Sequence, residues 1–171
     1  MKKVLLLLTV CIAYVYADAQ AIDKKLLVGK WMLYSMRGDD ISLTRDSLEL
    51  GIAGLISHQR AKHPEKEMTT NDSLMLTANL KDKFKDLFKT YSIYDDKGTC
   101  TMFSGINKDE NGTSVEQIGT YVWSGDNKII QTVAKYNPEA YVIVTLTANK
   151  LVIQSDSNAD KKRNLQFIFV K

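Results

Sequence analysis

"LLVGKWMLYSM", residues 26–36, places one glycine two residues before one tryptophan, and the residues that follow alternate at period two. Alternation of this kind predicts a strand with one buried face. The stretch stands shortly after a segment that reads as a leader. Met1-Lys2-Lys3 opens the chain, Val4 to Tyr16 is almost free of charge, and Ala17-Asp18-Ala19 precedes Gln20. A charged start, a short apolar run and small residues three and one before a bond predict a secretory signal peptide over residues 1–19, cleaved after Ala19. The run falls short of the ~20 residues a spanning helix needs. The expected product is a periplasmic or secreted domain of residues 20–171. Cys11 follows the bulky Val10, where a lipoprotein signal has a small residue, so it reads as part of the signal core rather than as a lipid anchor.

Removing Lys2, Lys3 and Asp18 lowers the formal charge from +3 to +2, too weak an imbalance to imply nucleic acid. Cys100 is the one cysteine of residues 20–171, so no intramolecular disulfide is expected and stability must come from a core. A chain of this length buries enough apolar surface to do so.

From Arg37 to Thr90 the period changes. Leu48, Ile52, Leu55 and Ile56 form one helical stripe, with Asp46 or Thr44 as N-cap, and His63-Pro64 lies at or beyond its end. A second helix is expected to start near Asn71-Asp72-Ser73 with the stripe Leu76, Leu80, Phe84, Leu87 and Phe88. From Tyr91 onward, "YSIYDDKGTCTMFSG", "GTYVWSGDNKIIQTVA", "AYVIVTLTANKLVIQSD" and "RNLQFIFVK" read as hairpins and a last strand. With residues 31–36 that makes eight strands. Hairpin-length connections favour an up-and-down barrel over a Greek-key sandwich, which needs a long return crossing. The expected fold is mainly β, an eight-stranded antiparallel up-and-down barrel with a two-helix insertion, residues 37–90, between strands one and two.

Gly29-Lys30-Trp31 at the start of the first of eight meander strands resembles the Gly-x-Trp signature of the lipocalins. The chain from "LVGKWMLYS" through "YDDKGTCTMFSG", "GTYVWSGDNKIIQT" and "VIVTLTANKLVIQS" is similar in order and spacing to secreted bacterial lipocalin-like domain proteins. The resemblance implies a small residue at 29 where the chain passes under a barrel floor, with Trp31 plugging the closed end. It also implies a late basic residue packed across the indole. Arg163, the only late arginine, is the candidate, the alternative being a solvated residue of "DKKRN". It further implies a small apolar or amphipathic ligand held in the barrel, with the helices emerging at the open end. Tyr34, Phe84, Phe88, Met102, Tyr121 and Phe167 are the candidate ligand contacts, chosen for size and strand parity.

Other constellations point elsewhere or nowhere. His58 and His63 stand five apart, about 140° around a helix at ~100° per residue, so they do not share a metal-binding face. No His-Glu-x-x-His, Gly-x-Ser-x-Gly, phosphate-cradling glycine loop or Cys-x-x-Cys motif is present, and the acidic pairs fall in turns. No catalytic residue, metal or cofactor is expected, and the protein is not expected to be an enzyme. Asp46-Ser47-Leu48 and Asp72-Ser73-Leu74 match a bacterial O-glycosylation pattern but sit at helix starts, where capping explains them. The rival to the ligand-binding reading is a packed barrel filled by its own bulky side chains, which binds a protein as an inhibitor or envelope assembly factor.

Overall fold

The computed structural model of the protein describes residues 22–39, 41–64, 69–108, 112–133, 137–156 and 165–171. The expected leader with its Ala19 cleavage site, Cys11 and Arg163 lie outside the described residues. A 3₁₀ turn at Lys24–Leu27 leads into β1 (Gly29–Arg37), β2 (Ser42–Thr44), a second 3₁₀ turn at Arg45–Ser47, α1 (Leu48–Lys62) and α2 (Thr70–Leu87). The meander follows as β3 (Tyr91–Tyr94), β4 (Thr99–Lys108), β5 (Ser114–Trp123), β6 (Lys128–Val133), β7 (Glu139–Leu146), β8 (Lys150–Ser155) and β9 (Gln166–Val170).

Neighbouring strands from β3 to β9 pair antiparallel in sequence order, and β1 pairs with both β3 and β9, so these eight strands close into a barrel. Closure removes the sheet edges along the paired length of these strands. The ninth strand, β2, is too short to show a period in the sequence. Residues 35–37 of β1 bond β9 on one side and β2 on the other, while Met32 bonds β9 and β3. β2 therefore lies on the same edge of β1 as β3 and continues it towards the end opposite Trp31. The helices accordingly run between β2 and β3.

β3 stops opposite Phe103 although β4 runs on to Lys108, and this leaves a gap in the strand wall. The helices bridge it through contacts from β1 by way of β2, α1 and α2 to β4. α1 buries Ile52 and Ile56 in the same apolar cluster as the barrel interior, and partly buried Leu76, Leu80, Phe84 and Leu87 of α2 pack against that cluster with buried Phe88. Lys81 of α2 is ion-paired with Glu49 of α1 at the surface. The caps differ in detail from the sequence expectation. Thr69, not residues 71–73, caps α2 by a reciprocal box in which its hydroxyl accepts from Asp72 N and Asp72 accepts from Thr69 N. Ser47 occupies the N-cap position of α1, while the Asp46 carboxylate accepts a hydrogen bond from the Tyr34 hydroxyl at 2.9 Å.

The α2–β4 joint depends on an absent side chain. A Cβ on Gly105 would stand 1.9 Å from the Asp86 carbonyl oxygen and 2.8 Å from its carbon. Backbone cannot yield as a flexible side chain does, so Gly105→Ala is expected to lose about 1–3 kcal/mol, a fall of several degrees in melting temperature. Gly54 in α1 has nothing within 4 Å of the same position. Gly54→Ala is therefore expected to gain roughly 0.5–1 kcal/mol from helix propensity. Thermal melting of the two variants beside the parent checks both signs, and a neutral Gly105→Ala would contradict this packing of α2 on β4.

Candidate functional site

The floor is built first. Trp31 has no exposed surface, its Nε1 donates to the Leu27 carbonyl at 2.6 Å, and Leu27 is equally buried. The Lys171 ammonium stands 4.5 Å from the indole centroid and donates to the Leu26 and Val28 carbonyls at 3.1 and 3.0 Å. Among the described residues Lys171 is thus the cation across Trp31. Gly29 has φ +128°, where L side chains are strained, and a Cβ there would approach the Lys171 Cε at 3.2 Å. Gly-x-Trp therefore has a local reason: the glycine turns the chain from the 3₁₀ segment into β1 and leaves room for the lysine stem.

Directly paired residues share a face, so register identifies the interior. Trp31 opposes Ser92, Ser92 opposes Met102, Met102 opposes Gln117, Tyr121 opposes Gln131, and Gln131 opposes Glu139. Ile143 opposes Ile153, Ile153 opposes Phe167, and Leu151 opposes Phe169, which opposes Leu33 and returns to the face that began with Trp31. On that face the lower barrel is filled: Leu33, Tyr94, Cys100, Tyr121, Ile129, Ile143, Leu151 and Phe169 are all buried. Nearer the other end, Met102, Gln117, Tyr141, Ser155 and Phe167 remain partly exposed on the same interior face. The described interior is thus filled at its base and partly exposed nearer the other end, a cup-like gradient.

A polar cluster lies on the interior face, most of it buried. Buried Gln131 donates its side-chain NH₂ to the Tyr94 hydroxyl, which also accepts from Ser92, and the Tyr94 ring meets Tyr121 edge-on at 5.1 Å. Tyr141 donates its hydroxyl to the Glu139 carboxylate. Burial raises the Tyr94 phenol well above its ordinary value, with the neighbouring Cys100 adding to the effect. Burial also raises Tyr141, followed by its bond to Glu139. Cys100 is pushed up to about 11, first by burial and then by Asp95. These groups are neutral at physiological pH and offer hydrogen bonds rather than nucleophiles.

The candidate contacts named from the sequence fall in different places. Met102, Tyr121 and Phe167 are on the interior face, with Tyr121 in the packed base, where its hydroxyl donates to the Asp95 carbonyl at 2.5 Å. Phe88 is buried in the shared core. Phe84 is partly buried and borders a groove of about 400 Å³ with Leu87 and Ile106 where α2 meets β4. Tyr34 sits at a β-bulge between Leu33 and Ser35, with its hydroxyl on Asp46 and the Arg45 guanidinium 5.5 Å from its ring, away from the cup. Sequence reasoning missed Ser92, Tyr94, Gln131, Glu139 and Tyr141 as a group, and Lys171. His58 lies in α1 and His63 at its C-terminal cap. Among the described residues no group of three or more His, Cys, Asp or Glu could hold a metal ion. No helix among them is long and apolar enough to cross a membrane.

A family model described as a lipocalin-like domain matches residues 27–153. No curated protein matches the chain at a significant level. Among solved structures, lobster apocrustacyanin A1 is similar with a TM-score of 0.44 at 10% identity, over 87% of this chain and 62% of that chain. Apocrustacyanin C1 gives 0.45 at 10% identity over 93% and 67% of the two chains. A deswapped triple mutant of bovine odorant binding protein gives 0.39 at 15% identity over 85% and 74%. The chain thus spans about three fifths of the apocrustacyanin A1 chain.

The raised acids set an alkaline limit. In the unfolded chain Cys100, Tyr94 and Tyr141 release protons near their ordinary values, whereas the fold retains them to higher pH. The native state then binds more protons, so stability falls as pH rises above about 9 and is unaffected by these groups below it. Melting temperature measured across alkaline pH should decline from there. Cys100→Ala should delay the onset, because the thiol has the lowest ordinary value of the three. A melting temperature unchanged up to about pH 11 would contradict the burial assigned to them.

Proposed function

Because the chain belongs to the lipocalin-like domain family, we propose that it is a non-catalytic binding protein, exported through the leader at residues 1–19, that holds a small apolar or amphipathic molecule in its barrel. The observation that carries this reading is the gradient along the interior face. Side chains from Trp31 to Phe169 close the base, while Met102, Gln117, Tyr141 and Phe167 stay partly exposed within the same ring of strands. Partly exposed side chains above a filled base suit an eight-stranded barrel that holds one small ligand. A concave, mostly apolar surface with a few convergent polar groups is the usual form of a small-molecule site. Met102 and Phe167 supply the apolar contact, and Gln117 and Tyr141, the polar members of the partly exposed ring, supply the orienting hydrogen bonds.

The second reading, a module that binds another protein, draws on the outer wall. Ile118 and Val122 of β5 are 67% and 58% exposed, and Val122 is paired with Ile130 of β6. An apolar outer face of this kind suits a protein partner.

Filling the cup separates the two. Met102→Trp places a large ring at a partly exposed interior position, and a neutral naphthylamine fluorophore reports occupancy. The expected result is at least roughly tenfold weaker binding with a melting temperature within a few degrees of the parent, because the ring enters free space instead of a packed core. Phe88→Ala, by contrast, removes a side chain from the shared core and is expected to cost about 3–5 kcal/mol. Unchanged fluorophore affinity in Met102→Trp would point away from the cup and towards the outer face.

A further inference from the structure

Among the described residues of the interior face, the one carboxylate stands at the exposed start of β7. Among the described interior positions fixed by strand register, the ionisable groups are the Tyr94, Tyr121 and Tyr141 phenols, the Cys100 thiol and the Glu139 carboxylate. Burial raises the phenols and the thiol, so they stay uncharged at neutral pH, and Glu139 is the carboxylate among these described positions. Glu139 is exposed, opposes buried Gln131 across β6 and β7, and receives the Tyr141 hydroxyl. The tyrosine ring beside it is half-buried, and Tyr94 stands close enough to Tyr141 to influence its ionisation.

Resting on the ligand-cup reading, we infer that the cup selects amphiphiles with a positively charged amine head, set against the Glu139 carboxylate and the Tyr141 ring, over the corresponding alcohols and carboxylates. The carboxylate has two oxygens and accepts one bond from Tyr141, so acceptor capacity remains for an ammonium N–H. A charge-assisted bond of that kind is stronger than the neutral one an alcohol would make. An aromatic face next to the acid adds cation–π attraction. A carboxylate head at the same position would meet a like charge with low-dielectric protein on one side, and it could gain the Tyr141 hydroxyl only by taking that donor from Glu139. The tail then runs along Met102 and Phe167, the apolar members of the partly exposed ring.

The test holds the tail constant and varies the head. Decylammonium, decanol and decanoate are titrated calorimetrically into the full-length protein at neutral pH, below their aggregation concentrations, and into Glu139→Gln and Tyr141→Phe. Circular dichroism and thermal melting establish that the variants fold. The inference expects decylammonium to bind roughly tenfold tighter than decanol and decanoate to bind weakest. Glu139→Gln should reduce the decylammonium preference to within about threefold of decanol, and Tyr141→Phe should reduce it less, because the ring remains. Decanoate or decanol binding the parent as tightly as decylammonium would overturn the inference while leaving the cup itself in place. An undiminished decylammonium preference in Glu139→Gln would overturn it too, with the same consequence. Failure of all three to bind the parent would overturn the cup reading and the inference with it.

Discussion

The contact between Trp31 and the turn beneath it is the constraint on which the barrel rests. The indole is completely buried, with its one polar atom spent on the Leu27 carbonyl and a lysine over its face. A tryptophan brings more apolar area than any other side chain, yet its N–H must find a partner when buried. Leu27 supplies that partner because the 3₁₀ turn at Lys24–Leu27 folds the chain back under the barrel, and Gly29 alone can take the turn into β1 without strain. Lys171 is held to the turn that precedes the first strand by bonds to the Leu26 and Val28 carbonyls, and to Trp31 in that strand by an aromatic contact worth about 0.5–1 kcal/mol at such a site. The same few residues thus fasten both ends of the sheet where β1 and β9 meet.

From that base the interior grades upward. The lower ring is filled, with the buried hydroxyl and amide groups of Ser92, Tyr94 and Gln131 set into it, and the upper ring keeps contact with solvent. The wall around the upper ring is not made of strands alone. Where β3 stops short, β2 and the two helices complete it, and two close approaches, Gly51 on Leu43 and Gly105 on the Asp86 carbonyl, hold the helices to the strands. The helices therefore share the barrel's apolar cluster through Ile52, Ile56 and Phe88. Any motion of them that admits a ligand would uncover part of that cluster, which links access to local stability.

Much of the architecture was legible because it depends on local chemistry. The hairpins announce themselves by turn residues, the helix stripes by spacing, and the closed end by Gly-x-Trp. β2 was not legible, since three residues cannot display a period of two. The cap of α2 was readable in Thr69-Thr70-Asn71-Asp72, a box with an acid three residues on, but the stronger-looking cluster at 71–73 masked it. Tyr34 was readable too: it shares parity with Lys30 and Met32 rather than with Trp31, so its size misled. The polar cluster could not be found this way. "KIIQTV" carries an isoleucine and a polar residue on each parity, and that Gln131 rather than Ile130 faces inward follows from its pairing with Tyr121 and Glu139. Lys171 escaped notice because its role follows from where β9 ends beside β1, a long-range consequence of closure.

The most direct test of the cup is the position of a ligand within it. A crystal of the protein soaked with a terminally brominated decylamine, measured at the bromine absorption edge, gives the tail end of the ligand as an anomalous peak without interpretation of weak density. The account predicts one peak inside the ring of strands, above Tyr94 and between Met102 and Phe167. A peak confined to the groove beside Phe84 and Ile106, or to the outer face at Ile118 and Val122, would contradict it.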